Sequence, residues 1–155
     1  CVRAVAGRFT GVEHRIALVR ALAGVRWYND SIGTSPTRTM ACLDSFPQKL
    51  ILLAGGYDKG VPFTQLGVEI TRKVKLLVLT GATAPAIRRA VEEAPDYSGQ
   101  PPIVETENLA AAVAAARQAA QLGDVVVLSP ACAAFDQFKN FAERGRVFKD
   151  LVNAL

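Results

Sequence analysis

The sequence predicts an α/β fold in which a mostly parallel sheet carries helices on both faces. Three observations point there. Short runs rich in Val, Leu and Ile recur along the chain, several are apolar at consecutive positions, and segments of helical periodicity separate them. Consecutive apolar positions mark strands covered on both faces, as in a parallel sheet between two helical layers. Strand–helix alternation means βαβ units with right-handed crossovers.

Strands are expected at residues 25–29 (VRWYN), 49–54 (KLILLA), 75–80 (KLLVLT), 102–105 (PIVE) and 124–129 (DVVVLS). A helix over 86–94 places Ile87, Ala90, Val91 and Ala94 on one face, with Thr83 as its cap and Pro85 in its first turn. The alanine-rich run 108–121 is a strong helix former stopped by Gly123. A last helix aligns Phe138, Phe141, Phe148, Leu151 and Leu155 on one stripe. Residues 1–15 (CVRAVAGRFTGVEHR) do not fit the alternation and read as a leading linker at the domain edge, with 16–155 a single domain. The expected architecture is Rossmann-like.

Composition narrows the classes. A chain of 155 residues, 50% hydrophobic and 21% charged, can build one folded core. No apolar run approaches the roughly 20 residues of a membrane helix, and no secretory signal opens the chain, so a cytoplasmic setting without a membrane partner is expected. Cys1, Cys42 and Cys132 form no CxxC pair and have one histidine for company, so neither a disulfide framework nor a metal site is expected. The net charge of +4 suits an anionic ligand. Lys and Arg are scattered and not interleaved with aromatics, so nucleic acid is not an expected partner.

In an open parallel sheet, ligands sit beyond the carboxyl ends of the strands. There the sequence reads YNDSIGTSP, GGYDKG, TGAT and SPACAAFD, all at one edge, where helix N-termini also direct free N–H groups. A small anion is the natural occupant, and a non-catalytic anion-binding module would satisfy the pattern as well as an enzyme. Plainer roles stand beside this one: Asp30 and Ser31 as helix caps, and GGYDKG as a tight turn with Lys59 in solvent. Cys132 has neither a GxSxG setting nor a partnered histidine, which makes it a small packing residue. His14, the lone histidine, reads as structural. GGYDKG lacks the spacing and the Ser/Thr of a Walker A loop.

Taken together, HR (residues 14–15), YNDS (28–31), AGGYDKG (54–60) and LSPACAAFDQFKNFAERGRVFK (128–149) resemble the C-terminal domain of the Mur ligases, in the branch that adds D-glutamate. The resemblance covers nearly the whole chain in order and spacing, and its last motif is the most specific. Folylpolyglutamate synthetase shares the domain type and supplies the alternative enzyme, though it is not expected to carry that motif.

The resemblance implies a chemistry. ATP phosphorylates the carboxylate of UDP-N-acetylmuramoyl-L-alanine, and the amine of D-glutamate attacks the acyl phosphate to form an amide during peptidoglycan synthesis. Such ligases have an N-terminal domain for the UDP group and a central domain with the P-loop and magnesium. The third domain presents the amino acid; only it is represented here, so this chain alone is expected to be inactive. By matched position, Arg15 and Asp30 reach the nucleotide. Thr34, Lys59 and the backbone around Phe135 and Phe141 hold D-glutamate, with His14, Ser31, Ser35 and Ala134 as further candidates. Two positions depart from the family pattern. DSIGTS stands for the familiar DSKATN, placing Ile32 where lysine is common, and SPACAA replaces SPACAS, so Ala134 lacks a serine hydroxyl. Lys59, Thr34, Ser35 and backbone N–H groups are expected to carry the ligand instead.

Overall fold

A single sheet of six strands organises the computed structural model, which describes residues 15–134 and 137–155. In chain order the elements are β1 (Ala17–Leu22), β2 (Val25–Asn29), α1 (Pro36–Asp44), β3 (Leu50–Ala54), α2 (Thr64–Lys73) and β4 (Val74–Leu79). They continue with α3 (Ala84–Glu92), β5 (Ile103–Glu105), α4 (Leu109–Ala119), β6 (Val125–Leu128) and α5 (Phe141–Asn153). The spatial order is β1-β2-β6-β3-β4-β5. β1 runs antiparallel to β2, and every other pair is parallel. The mostly parallel α/β sheet expected from sequence is therefore present, with each expected strand within one residue of its predicted ends.

Period-two geometry sorts the buried strands onto two faces. Leu50, Leu52, Leu77, Leu79, Val125 and Val127 pack against Leu43 of α1, Leu66 and Ile70 of α2, and Ile87 and Val91 of α3. The alternate residues Ile51, Leu53, Val78, Val126 and Leu128 join Trp27 under Leu109, Val113 and Ala116 of α4 and Phe148 and Val152 of α5. Leu50, Ile51, Leu52 and Leu53 are all 0% exposed, which is why β3 reads as an unbroken apolar run. Each such side chain contributes about 1.5–3 kcal/mol on burial.

The structure adds three elements that the sequence reading did not place: β1, α1 and α2. β1 is an antiparallel edge strand joined to β2 by Ala23 (φ 54°) and Gly24 (φ 80°), the paired left-handed conformations of a two-residue hairpin turn. Thr83 stands at the N-cap of α3 as expected, with Pro85 in the first turn, but its side chain makes no capping bond. Its hydroxyl is engaged elsewhere. The position of β6 sets where the segments after the strands meet. Lying between β2 and β3, it brings the SPACAA segment between the turns that follow those strands.

Candidate functional site

Asp30 follows β2, donating its N–H to Leu128 O of β6 at 2.8 Å. Its side chain turns inward and is 3% exposed. Ser129 Oγ donates to Asp30 Oδ2 at 2.7 Å, and the Ile16 N–H donates to Oδ1 at 3.2 Å. Burial pushes the Asp30 carboxyl up to about 6, against the opposing pull of the Ser129 and Ile16 bonds, the Cys42 thiol and the nearby Arg15 charge. The Cys42 thiol is itself driven well above its usual range, by burial first and then by the Asp30 charge. Gly33 is fixed by the same cluster: a Cβ there would lie 2.8 Å from Ser129 Oγ and 3.0 Å from Asp30 Oδ2. Thr39 Oγ1 donates to Ser129 O at 3.1 Å, which ties α1 to the end of β6.

Across β6, the turn after β3 is equally constrained. Gly55 adopts φ 108°, and a Cβ there would fall 1.9 Å from Thr80 O, so only glycine fits. Gly55 N–H donates to Pro130 O at 2.8 Å, and Tyr57 N–H to Ala133 O at 2.9 Å. Gly56 N–H donates to Thr83 Oγ1 at 2.9 Å, and that oxygen lies 3.2 Å from Cys132 Sγ. The SPACAA segment is thus laced to its neighbours through backbone. Ala131 takes φ 65°, unusual without glycine, while its N–H donates to Gly33 O at 2.8 Å. Small residues are needed because the chains approach this closely. Cys132, 2% exposed, packs here as the sequence suggested, with a sulfur contact to Thr83 added.

The start of α5 is tied to the turn after β2. Asn140 caps the helix, its Oδ1 accepting from Glu143 N–H at 2.9 Å. Ser31 Oγ donates to Phe141 O at 2.6 Å. Arg144, 3% exposed, donates from Nε to Ser31 Oγ at 3.0 Å and from Nη2 to Ser31 O at 2.9 Å. Asn29 Nδ2 reaches Gly145 O at 3.4 Å. Sequence reasoning missed Arg144, because an arginine in the run ERGR has the look of a solvated charge.

The structure gathers the sequence-predicted residues at one edge and separates them by depth. Asp30, Ser31 and Ala134 are buried, Thr34, Ser35 and Phe141 half-buried, and Arg15 and Lys59 exposed. Ser35, and neither Asp30 nor Ser31, caps α1, accepting from Arg38 N–H at 3.4 Å. His14 and Phe135 lie outside the described residues. A cavity of about 10 Å³ lies between the turns, lined by Gly55, Gly56, Thr80, Gly81, Phe138 and Arg144. It has room for about one water, and Thr80 Oγ1 is buried without a hydrogen-bond partner. A cleft of about 220 Å³ lies elsewhere, lined by Asp44, Lys49, Arg72 and Lys73. Its charges are largely paired: Lys73 with Asp44 and Glu69, Arg72 with Asp96. Among the described residues, no group of three His, Cys, Asp or Glu side chains could hold a metal, and no helix is long and apolar enough to cross a membrane.

These features define a doubly wound α/β domain whose candidate site loops meet at the carboxyl edge of its sheet. Residues 14–132 match the family described as Mur ligase, glutamate ligase domain. The chain belongs to the Mur ligase family. It is 54% identical over 157 residues to the UDP-N-acetylmuramoylalanine–D-glutamate ligase of Acetivibrio thermocellus, covering 99% of this chain and 34% of that protein. The enzyme of the same name from Symbiobacterium thermophilum is 54% identical over 154 residues, covering 99% and 33%. The chain therefore spans about a third of the length of these curated relatives. Its fold is like that of a murein peptide ligase from Psychrobacter arcticus (TM-score 0.61, 14% identity, 92% of this chain and 30% of that one). It also resembles the MurF ligase of Thermotoga maritima solved with ADP (TM-score 0.57, 15% identity, 93% and 32%). A folylpolyglutamate synthase from Mycobacterium tuberculosis, solved with ADP and AMPPCP, shares the fold at 0.56 and 15% identity, covering 88% and 32%.

Proposed function

We propose that this chain is the amino-acid-presenting part of an ATP-dependent, cytoplasmic ligase that joins D-glutamate to UDP-N-acetylmuramoyl-L-alanine in peptidoglycan synthesis. The observation that carries the reading is similarity across 99% of the chain to ligases named for that reaction. Residues 1–15 are the leading linker in this proposal, and 16–155 one domain. The fold alone would fit a folylpolyglutamate-type ligase as well, since that enzyme shares it.

In the proposed reaction, ATP gives its terminal phosphoryl group to the substrate carboxylate, producing ADP and an acyl phosphate. The amine of D-glutamate attacks the carbonyl carbon; a C–N bond forms, the C–O bond to phosphate breaks, and the amine loses a proton. This chain's task is to hold the dicarboxylate with its amine directed outward. Lys59, exposed on the turn after β3, supplies a mobile cation, and Thr34 supplies a hydroxyl across the rim. Phe141 begins α5, where backbone donors point out of the first turn. The 10 Å³ cavity is too small for glutamate, so the ligand lies over the rim. Magnesium would neutralise phosphate charge in such a reaction. No described group of residues is suited to hold it, and no step assigned to this chain passes through it.

The test uses the ligase polypeptide that carries this chain. Phosphate release should require both UDP-N-acetylmuramoyl-L-alanine and D-glutamate. Turnover with a folate and L-glutamate in their place would overturn the reading in favour of the other ligase.

A further inference from the structure

Thr80 follows β4 and is 8% exposed. Its N–H donates to Ala54 O at 3.0 Å, but its Oγ1 has no hydrogen-bond partner among the described residues. A buried hydroxyl left without a partner is costly, so a native chain normally supplies one. Thr80 lines the cavity of about 10 Å³ under the rim, whose size suits one water. Gln137 and Arg144 bring polar groups to the same walls, and Leu109, Leu128 and Phe138 close the rest. Arg144 spends Nε and Nη2 on Ser31. Its Nη1 lies 3.2 Å from where a Cβ on Gly56 would stand, beside another wall of the cavity.

We propose that this cavity is a hydration site for one water, held by the Thr80 hydroxyl and the Arg144 guanidinium. The water ties the end of β4 to the first turn of α5. Arg144 in turn holds Ser31, whose Oγ donates to Phe141 O, so the water braces the start of α5 against the sheet. Thr80 is thereby a positioning residue for the backbone donors that meet the dicarboxylate. That kinetic consequence rests on the ligase reading; the hydration site does not.

A high-resolution crystal structure of the 155-residue chain should show an ordered water about 2.7–3.0 Å from Thr80 Oγ1. Empty density there would overturn the hydration site, and this result needs no variant. In solution, Thr80→Val keeps the shape of the side chain and removes the hydroxyl. Water-oxygen magnetic relaxation dispersion should lose the amplitude of about one long-lived water in Thr80→Val and keep it in Thr80→Ser. The melting temperature of Thr80→Val should fall by about 2–4 °C. Unchanged dispersion with a higher melting temperature is the result for a dry hydroxyl, and it would overturn the site. In the ligase polypeptide, Thr80→Val should raise the D-glutamate KM about threefold and change the ATP KM and kcat less than about twofold. Thr80→Ser should restore the parent value. A D-glutamate KM untouched by Thr80→Val would overturn the brace on α5. If the parent ligates no D-glutamate, the functional reading fails, and density and dispersion still decide the hydration site.

Discussion

Asp30 couples its own titration to the stability of the whole chain. Its carboxyl rises from 3.8 to about 6 because burial outweighs the Ser129 and Ile16 hydrogen bonds, the Cys42 thiol and the Arg15 charge. Folded Asp30 thus holds its proton at a pH where the unfolded chain has released it. Its contribution to stability is fully present below about pH 3.8 and is lost as pH rises through about 6. The rise corresponds to about 3 kcal/mol at most. Urea unfolding of the chain between pH 4 and 7 should show this loss against the parent's other titrations, and Asp30→Asn should flatten it. Equal slopes in the two proteins would mean that the carboxyl is hydrated. Lys59 is the opposite case, exposed and without an ion pair among the described residues. Its charge should matter only once a dicarboxylate lies over the rim. In the ligase polypeptide, Lys59→Met should raise the D-glutamate KM about tenfold to hundredfold and the ATP KM far less. Unchanged D-glutamate kinetics would leave Lys59 as a solvated turn residue.

The turns after β2, β3 and β6 behave as one element, because β6 lies between the other two and backbone bonds cross on both sides. Gly55→Ala puts a methyl 1.9 Å from Thr80 O in a left-handed backbone, so the turn must move. A loss of about 2–4 kcal/mol in thermal or denaturant melts is expected, with near-parent stability as the contrary result. Cys132→Ala is milder: it removes a sulfur beside Thr83 Oγ1, and the Gly56 N–H keeps its partner. The ligase should lose about 1 kcal/mol of stability and keep most of its rate. A well-folded but inactive variant would make Cys132 chemically essential. Element by element, legibility followed burial. β3 and β6, covered on both faces, leave uninterrupted apolar runs and were readable. β1 was not, since its residues are only partly buried and its bulge between Leu18 and Arg20 breaks the alternation. The strand ends told where the candidate site lies, but not the depth of its residues. Nothing in NDSIG distinguishes an inward Asp30 from an outward one. That follows from Ser129 and Ile16, 99 and 14 residues away in sequence.

At the scale of the molecule, the proposed function gives this sheet only the amino-acid side of the reaction. Two helical layers bury both faces, so the chain has its own core and should unfold in one cooperative transition. Its rim offers cations, hydroxyls and backbone donors, which suit a carboxylate ligand. Phosphoryl transfer from ATP asks for more: a loop that cradles the β- and γ-phosphates, and a metal that neutralises their charge. The sequence contains no GxxxxGK[ST] loop, and the described residues contain no metal-holding group. The 155-residue chain alone should therefore be folded and silent. Phosphate release with ATP, magnesium and D-glutamate should equal the blank, while a sigmoidal thermal melt shows that silence does not come from unfolding. Turnover above the blank would mean that this rim binds and activates ATP unaided, and the division of labour proposed for the ligase would be wrong. A broad, non-cooperative melt would instead mean that the two apolar layers need further chain to close them.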